Sequence, residues 1–201
     1  MKTIGLTGGI ATGKSTVSAM LRELGAIILD ADVIGRELMA PGQPAWEKVR
    51  ERFGNEYLMP DGQIDRQKLG RLVFSDSSAL KDLNDITHPL IKEYVGKELE
   101  RLRKEGFQGI VVIDAALLFE AGWADIVDEV WVVTADSQTQ IERLMKRNHY
   151  SREEAINRIN SQMSQEEKVA KADKVIDNSS SIDDTLRQVK ALWQELQNQK
   201  E

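Results

Sequence analysis

The chain has 201 residues, of which 41% are hydrophobic and 30% are charged, as is typical of one globular domain with a real core and room for a small inserted subdomain. These values exclude a disordered or fibrous protein. The net charge of −6 argues against a general nucleic-acid-binding protein, and the absence of cysteine, with only two histidines, leaves oxygen ligands for any metal.

The amino terminus predicts a location for the protein. Residues 1–4 lead directly into a glycine-rich segment, which leaves no room for the apolar stretch and cleavage site of a signal peptide. The longest nearly unbroken apolar run, residues 110–119, contains Asp114 and is too short to span a bilayer. We therefore expect a cytoplasmic protein with no membrane partner.

Short apolar segments alternate with amphipathic helices along the chain. This alternation predicts an α/β fold, a three-layer sandwich in which a parallel sheet carries helices on both faces. One helix is predicted directly after the glycine-rich segment and the last one near residues 183–198. The five predicted strands are residues 3–6, 27–29, 110–113, 130–133 and 174–176.

The segment between the first strand and the first helix matches the complete phosphate-loop (P-loop) pattern, Gly8-x-x-x-x-Gly13-Lys14-Ser15, which predicts a P-loop NTPase fold. The glycines let backbone amides turn inward around phosphate oxygens, and the helix adds the partial charge of its amino terminus. Lys14 supplies a cation for the β and γ phosphates, and Ser15 a hydroxyl ligand for Mg²⁺. A merely tight turn would have no use for this lysine and serine. The predicted ATP-binding residues here are Gly8, Gly9, Ile10, Ala11, Thr12, Gly13, Lys14, Ser15 and Thr16.

Other segments distinguish between the uses of a phosphate loop. A GTP-binding switch carries an Asn-Lys-x-Asp base reader, which this sequence lacks, and a glycine three residues after the aspartate of its third strand, where this chain has Leu117. These differences favour a kinase, which needs a carboxylate near the γ-phosphate to orient or deprotonate an acceptor hydroxyl. A non-catalytic nucleotide-binding switch is the alternative from another class.

Two aspartates, Asp30 and Asp32, follow the second predicted strand directly. Ligands of open parallel sheets bind beyond the carboxyl ends of the strands, so we expect these side chains at the mouth of the phosphate loop. We predict that Asp32 is the base or orients magnesium, with Asp30 nearer the sheet. The alternative is that Asp32 caps a helix over residues 33–39.

About 80 residues separate the second and third strands, which is too many for one crossover helix. Turn signals at residues 41–42 and 60–62 divide this region, and we predict a helical insertion. His88, which precedes Pro89, either contacts a substrate phosphate or caps a helix.

Asp114 ends the apolar third strand, which is the expected setting for the carboxylate that holds magnesium through water in such folds. Burial of a carboxylate there would otherwise be costly. The alternative is that Asp114 caps the turn into residues 117–120.

Transfer to a hydroxyl must exclude water, so a kinase needs a flap that closes over its site. Residues 137–172 are the candidate flap, and Arg143 and Arg147 lie four residues apart on one helical face, where guanidinium groups suit phosphoryl oxygens. The alternative is a solvated helix in which neighbouring glutamates pair with these arginines. Three capping boxes predict helices in this segment: Ser137/Gln140, Ser151/Glu154 and Ser164/Glu167.

Eight segments, in order, carry a specific family pattern. They are LTGGIATGKST at 6–16, DADVIGREL at 30–38, LGRLVF at 69–74, HPLI at 88–91, LLFEAGW at 117–123, ERLMKRN at 142–148, RINSQMS at 158–164 and ADKVIDNS at 172–179. With these segments the chain resembles the dephospho-coenzyme A kinase family over nearly its whole length. One departure is Ala116, where the family usually has proline before the Leu-Leu-x-Glu stretch, and it affects the bend after the third strand rather than the chemistry.

The resemblance implies an enzyme that uses ATP, with Mg²⁺, to phosphorylate the ribose 3′-hydroxyl of dephospho-CoA, giving CoA and ADP. Another P-loop nucleotide or metabolite kinase is the alternative within enzymes, and no oligomeric state is predicted. The resemblance also implies three parts. They are a nucleotide-binding core of residues 1–32, 108–136 and 172–201, a helical CoA-binding insertion of residues 33–107 whose last helix returns to the core, and a lid of residues 137–171.

The predicted active site draws on the resemblance and on the sequence motifs. Catalysis is assigned to Lys14, to Asp32 as the general base and to Arg147 on the lid. Further ATP contacts are assigned to Arg143, Asp177 and Asn178, and magnesium to Ser15 and Asp114. Substrate contacts are assigned to Asp32, His88, Leu117, Leu118 and Phe119. Trp123 and Trp131 are predicted to pack in the core or at its rim.

Overall fold

A computed structural model describes residues 1–198, and residues 199–201 of the predicted core lie outside the described residues. Its centre is a parallel sheet with the strand order β2-β3-β1-β4-β5, which confirms the predicted P-loop α/β fold and all five predicted strands. Each strand is slightly longer than its apolar pattern indicated. The strands are β1 (Lys2–Gly8), β2 (Ile27–Asp30), β3 (Ile110–Asp114), β4 (Glu129–Thr134) and β5 (Lys174–Asp177).

The α-helices follow β1, β2, β4 and β5 along the chain. Those in the described residues are α1 (Lys14–Glu23), α2 (Ala31–Leu38), α3 (Pro44–Phe53), α4 (Arg66–Ser75), α5 (Ser77–Lys104), α6 (Ser137–Asn148), α7 (Arg152–Asn160), α8 (Gln165–Val169) and α9 (Ile182–Asn198). Within residues 1–198, no helix has both the length and the apolar character needed to cross a membrane.

One face of the sheet packs against α1 and α9. Ile4 and Leu6 of β1 are fully buried on this face, because alternate side chains of a strand point to the same side. Trp131 of β4 and Trp193 of α9 belong to the same apolar cluster. Both Trp131 and Trp123 are buried, so their predicted place in the core is confirmed.

The parallel strands bring several polar segments to one edge of the sheet. β1 ends at Gly8, β3 at Asp114 and β5 at Asp177. In the register of the ladder, Leu6 lies opposite Asp114, so the third strand ends close to the start of the phosphate loop. This edge is where ligands of open parallel sheets bind.

The chain divides into two compact units. One consists of Met1–Leu29 with the chain from Phe107 onward, and the other of Asp30–Gly106. The second unit has bounds close to those of the insertion that we predicted at residues 33–107, and its role in binding substrate stays a prediction. The predicted lid, residues 137–171, lies within the first unit, and its movement as a lid also stays a prediction.

The second unit is built around α5, a helix of 28 residues. Asp76 caps it by accepting a hydrogen bond from the N–H of Ser78 at 2.8 Å, and the helix continues through Pro89. His88 therefore lies in a helix interior, and the alternative that it caps a helix is wrong. The core of this unit contains Val49, Phe53, Ile64, Leu69, Val73 and Ala79.

An aspartate, rather than the predicted serine, caps α6. Asp136 accepts a hydrogen bond from the N–H of Thr139 at 2.8 Å, while the side chain of Gln140 donates to the carbonyl of Ile10. The predicted box at Ser137 is therefore wrong, because its neighbour takes the capping position. The boxes Ser151/Glu154 and Ser164/Glu167 are confirmed.

Candidate active site

The phosphate loop is the turn between β1 and α1. Gly13 has φ +92°, a left-handed conformation that glycine adopts without strain. A Cβ at Gly8 would lie 2.6 Å from the carbonyl oxygen of Val133, and one at Gly13 would overlap the Nδ2 atom of Asn178. Close contacts therefore require glycine at both positions, and backbone conformation requires it at Gly13 as well.

Side chains from α6 and from the end of β5 hold the carbonyl oxygens of the loop. Nδ2 of Asn178 donates to the Thr12 carbonyl at 2.7 Å. Nη1 of Arg143 donates to the carbonyls of Ala11 and Thr12 at 3.2 Å each, and its Nη2 donates to the carbonyl of Asn178 at 2.8 Å. The N–H and C=O of a planar peptide point in opposite directions, so holding the Thr12 carbonyl from outside turns the N–H of Gly13 inward. This arrangement fixes the conformation of the loop.

Arg143 and Asn178 were predicted to bind ATP, and the structure brings both beside the loop. The alternative of a glutamate-paired surface arginine is wrong for Arg143, whose guanidinium bonds to backbone carbonyls. Asn178 is 5% exposed, and its Oδ1 accepts the hydroxyl of Thr185 at 2.8 Å, so both ends of its amide are used to position the loop. Asp177 is exposed and accepts the N–H of Ser179 at 2.9 Å.

The ammonium of Lys14 forms an ion pair with the carboxylate of Asp114. Lys14 is the first residue of α1, and its side chain is 17% exposed, whereas that of Asp114 is 4% exposed. A buried carboxylate needs a partner, and the loop lysine supplies it. Ser15, the next residue, is exposed at the amino terminus of α1. The predicted cation therefore lies beside one predicted magnesium ligand, Asp114, and is followed in the chain by the other, Ser15.

The segment after β3 is held at both ends by one lysine. Nζ of Lys168, in α8, donates to Oε1 of Glu120 at 2.8 Å and to the carbonyl of Ala116 at 3.3 Å. That carbonyl also accepts the hydroxyl of Thr7 at 3.1 Å. Lys168 is 1% exposed, which is rare for a lysine and requires such partners. The carbonyl of Ala116 thus joins α8 to β1.

The three predicted substrate residues of this segment differ in exposure. Leu117 is 36% exposed, and Phe119 is half-buried with Nζ of Lys171 5.7 Å from its ring centroid. Leu118 is fully buried, directly against Gly5 of β1, so its side chain offers no surface to a ligand. For Leu118 the structure contradicts a side-chain contact with substrate.

No hydrogen bond or ion pair of the described residues joins the side chains of Asp32 and Arg147 to the phosphate loop. Asp30 caps α2, because its Oδ1 accepts the N–H groups of Asp32 at 2.9 Å and Val33 at 3.0 Å. The alternative that Asp32 is the cap is therefore wrong, and its own side chain is exposed. Arg147 is exposed at the end of α6, where its Nε donates to Oδ1 of Asn148 at 2.9 Å.

Sequence reasoning missed three residues that position the site: Gln140, Gln162 and Lys168. Gln140 and Gln162 bond to the backbone of the phosphate loop, and Lys168 holds the segment after β3. Two of these residues lie near a recognisable sequence pattern. Gln162 lies in the family-like segment RINSQMS, and Lys168 directly follows the confirmed capping box Ser164/Glu167. No local pattern distinguishes such residues from a solvated helix face.

Comparisons with known proteins show the family of the chain. The sequence profile of dephospho-CoA kinase matches residues 2–184. A dephospho-CoA kinase from Carboxydothermus hydrogenoformans is 51% identical over 191 residues, which are 95% of this chain and 92% of that protein. One from Bacillus cereus is 51% identical over 189 residues, 94% of each chain.

Solved structures show the same relationship. The dephospho-CoA kinase from Campylobacter jejuni aligns with a TM-score of 0.72 at 32% identity over 100% of both chains. Shikimate kinase from Bacteroides thetaiotaomicron aligns with a TM-score of 0.55 at 15% identity, which shows a shared fold alone. Since the profile covers most of the chain and the similar kinases match over nearly their whole length, the chain belongs to the dephospho-CoA kinase family.

Proposed function

We propose that the protein transfers the γ-phosphoryl group of ATP to the ribose 3′-hydroxyl of dephospho-CoA, the last step of CoA biosynthesis. The bond from the γ-phosphorus to its bridging oxygen breaks, a bond to the 3′ oxygen forms, and the hydroxyl proton passes to a base, giving ADP and CoA. The observation that carries this proposal is the phosphate loop, with Lys14 beside the buried Asp114, in a chain of this family.

Residues 8–16 would bind the ATP phosphates. The inward N–H of Gly13 and the unbonded amides expected in the first turn of α1 suit phosphate oxygens, and the helix amino terminus adds positive potential. Lys14 can leave Asp114 and contact the β and γ phosphates, because an ammonium on four methylenes is mobile. Arg143, Asp177 and Asn178 would border the nucleotide on the side of β5.

Mg²⁺ fits the oxygen ligands at this place. The hydroxyl of Ser15 and the carboxylate of Asp114 are hard donors of the kind that Mg²⁺ prefers. Among residues 1–198, no group of three or more histidine, aspartate or glutamate side chains could hold a metal ion. Ser15 would bind the ion directly and Asp114 through water. An ion held there would supply neutralisation of the charge on the transferred phosphoryl group.

Asp32 is the proposed general base. Its support is local: Asp30 already caps α2, so the exposed carboxylate of Asp32 is not needed for capping. A carboxylate that accepts the hydroxyl proton makes the 3′ oxygen a better nucleophile. Arg147 would contact the phosphoryl oxygens from α6, four residues beyond Arg143, because a guanidinium forms paired hydrogen bonds with phosphate.

The remaining predicted roles concern the acceptor and the exclusion of water. Residues 33–107, with His88, would bind dephospho-CoA, and residues 137–171 would act as the lid. Leu117 and Phe119 would offer apolar surface to the acceptor, whereas Leu118 would contribute through its backbone alone. A cytoplasmic location is part of the proposal.

Mass spectrometry tests this function. The purified protein with ATP and Mg²⁺ should convert dephospho-CoA into a product heavier by one phosphate. AMP and shikimate, offered separately, test the alternative of another nucleotide or metabolite kinase. Phosphorylation of either compound in place of dephospho-CoA, or release of free phosphate alone, would show that the proposed acceptor is wrong.

A further inference from the structure

Both backbone polar groups of Ile10, at the outer edge of the phosphate loop, bond to glutamine side chains. Its N–H donates to Oε1 of Gln162 at 2.9 Å, and its C=O accepts from Nε2 of Gln140 at 2.7 Å. Gln140 belongs to α6, and Gln162 lies in the turn between α7 and α8. Two separate parts of the segment 137–171 therefore hold the same loop residue.

The side chain of Ile10 is held by the same segment. Ile10 and Ala11 pack against a small apolar cluster that is separate from the core of the sheet. Two of its members, Leu144 and Ala155, are fully buried. The loop residues therefore form part of the small core of this segment. The cluster contains Ile141, Leu144 and Ala155, with Tyr150 and Ile159 packed against it.

We propose that Gln140 and Gln162 act as positioning residues that clamp segment 137–171 to the phosphate loop through Ile10, and that this clamp keeps water from the γ-phosphate. The inference rests on the proposed kinase function. It adds a physical link between the loop that binds phosphate and the segment that must exclude water.

The consequence of losing the clamp follows from its geometry. Without Gln162, the N–H of the half-buried Ile10 loses its protein partner and must bond to water instead. The turn that carries Gln162 then separates from the loop, and water gains access to the γ-phosphate. Hydrolysis, in which water takes the phosphoryl group to give ADP and inorganic phosphate, competes with transfer to the acceptor.

The test compares Gln162→Ala and Gln162→Glu with the matched control Gln165→Ala. Gln165 lies three residues further on, and its Oε1 also accepts a backbone N–H, that of Ala135 at 3.1 Å, which is not a loop residue. Glutamate at position 162 still offers an oxygen acceptor at the same reach. With ATP, Mg²⁺ and dephospho-CoA, inorganic phosphate and phosphorylated product are measured together, and the Kd of a non-hydrolysable ATP analogue is measured by calorimetry.

We expect Gln162→Ala to raise the ratio of inorganic phosphate to phosphorylated product about fivefold and to raise the Kd about fivefold, the effect of one lost hydrogen bond. Gln162→Glu should keep the product ratio within about twofold of the unsubstituted protein, because the acceptor is retained. Gln165→Ala should change neither quantity.

Two results would overturn the clamp. One is a ratio of inorganic phosphate to phosphorylated product that is no higher in Gln162→Ala than in Gln165→Ala. The other is an equal ratio in Gln162→Ala and Gln162→Glu. If the unsubstituted protein phosphorylates no dephospho-CoA, the proposed function fails. The clamp is then judged by the Kd alone, and equal values for Gln162→Ala and Gln165→Ala would contradict it.

Discussion

The ammonium of Lys14 pairs with the carboxylate of Asp114, which joins the first residue of α1 to the last residue of β3. Both side chains are largely buried, so each stabilises the other where water is scarce. In the proposed reaction the same lysine contacts the ATP phosphates. The pair therefore holds the ammonium of Lys14 beside the loop that we propose binds the phosphates.

Removal of the Lys14 charge should abolish activity and also destabilise the fold. Lys14→Met should lower kcat/KM by about 10²-fold or more, because a positioned charge on the transferred group is lost. It should also lower the free energy of unfolding by about 1–3 kcal/mol, because Asp114 stays buried without its partner. Steady-state kinetics and urea unfolding measure the two effects.

The double variant Lys14→Met with Asp114→Asn is the control for this pair. It should recover most of the lost stability, because the unpaired carboxylate is gone, while activity stays low. Recovery of activity in the double variant would show that Lys14 serves the fold alone.

Substitution of the proposed base should separate catalysis from nucleotide binding. Asp32→Asn should lower kcat by about 10²-fold or more and leave the affinity for ATP unchanged, because the loss concerns proton transfer. Asp30→Asn is the matched change two residues earlier, and asparagine is as good a helix cap as aspartate. We expect near-normal turnover for Asp30→Asn, and equal turnover in the two variants would remove Asp32 from the mechanism.

The cap of α6 can be tested by two adjacent substitutions. Asp136→Ala should lower Tm by about 2–4 °C, whereas Ser137→Ala should have little effect, because Asp136 alone bonds to the N–H of Thr139. Thermal unfolding followed by circular dichroism measures both. A larger loss in Ser137→Ala would restore the serine cap that the sequence indicated.

The effect of Asp136 should also depend on pH. Hydrogen bonds from the Thr139 hydroxyl and backbone N–H hold the pKa of Asp136 below its usual range. A carboxyl with a lowered pKa stabilises the fold above its unfolded pKa and loses this effect as the pH falls through its folded pKa. The Tm difference between Asp136→Ala and the unsubstituted protein should be full at neutral pH and shrink below about pH 4. A difference that is constant down to pH 2 would contradict the role of the charge.

Lys168 should position the segment after β3. Lys168→Met should lower the free energy of unfolding by about 1–3 kcal/mol, because the Ala116 carbonyl and Glu120 lose their shared donor. It should raise the KM for dephospho-CoA more than the KM for ATP, because the displaced segment carries Leu117 and Phe119. Lys168→Arg keeps a donor and should recover part of the lost stability and part of the change in KM. Calorimetry measures the stability, and two-substrate kinetics measure the KM values. Equal changes in the two KM values would limit Lys168 to a structural role.

Patterns of neighbouring residues predicted the strands and the phosphate loop. The side chains that hold the loop and the segment after β3 depend on contacts between residues far apart in the chain. Short apolar segments between helices located all five strands, and the spacing of Gly13, Lys14 and Ser15 located the loop. Both features depend on neighbours in sequence. Gln162 lies 152 residues from Ile10, and Lys168 lies 48 from Glu120. No local pattern reports such pairs.

The cap of α6 shows the same limit at single-residue scale. Asp136 and Ser137 are both good caps by residue type. The N–H of Asp136 donates to the hydroxyl of Ser179 at 2.8 Å, and this contact with the chain after β5 holds Asp136 at the capping position. The choice between the two residues is therefore made by tertiary structure.

The most direct test of the central claim follows the γ-phosphoryl group itself. The protein is incubated with dephospho-CoA, Mg²⁺ and ATP labelled with ¹⁸O in the γ-phosphoryl group, and tandem mass spectrometry locates the label in the product. We predict labelled phosphate on the ribose 3′ oxygen of CoA, formed together with an equal amount of ADP. Label found only in inorganic phosphate, or on any other position of the acceptor, would contradict the account.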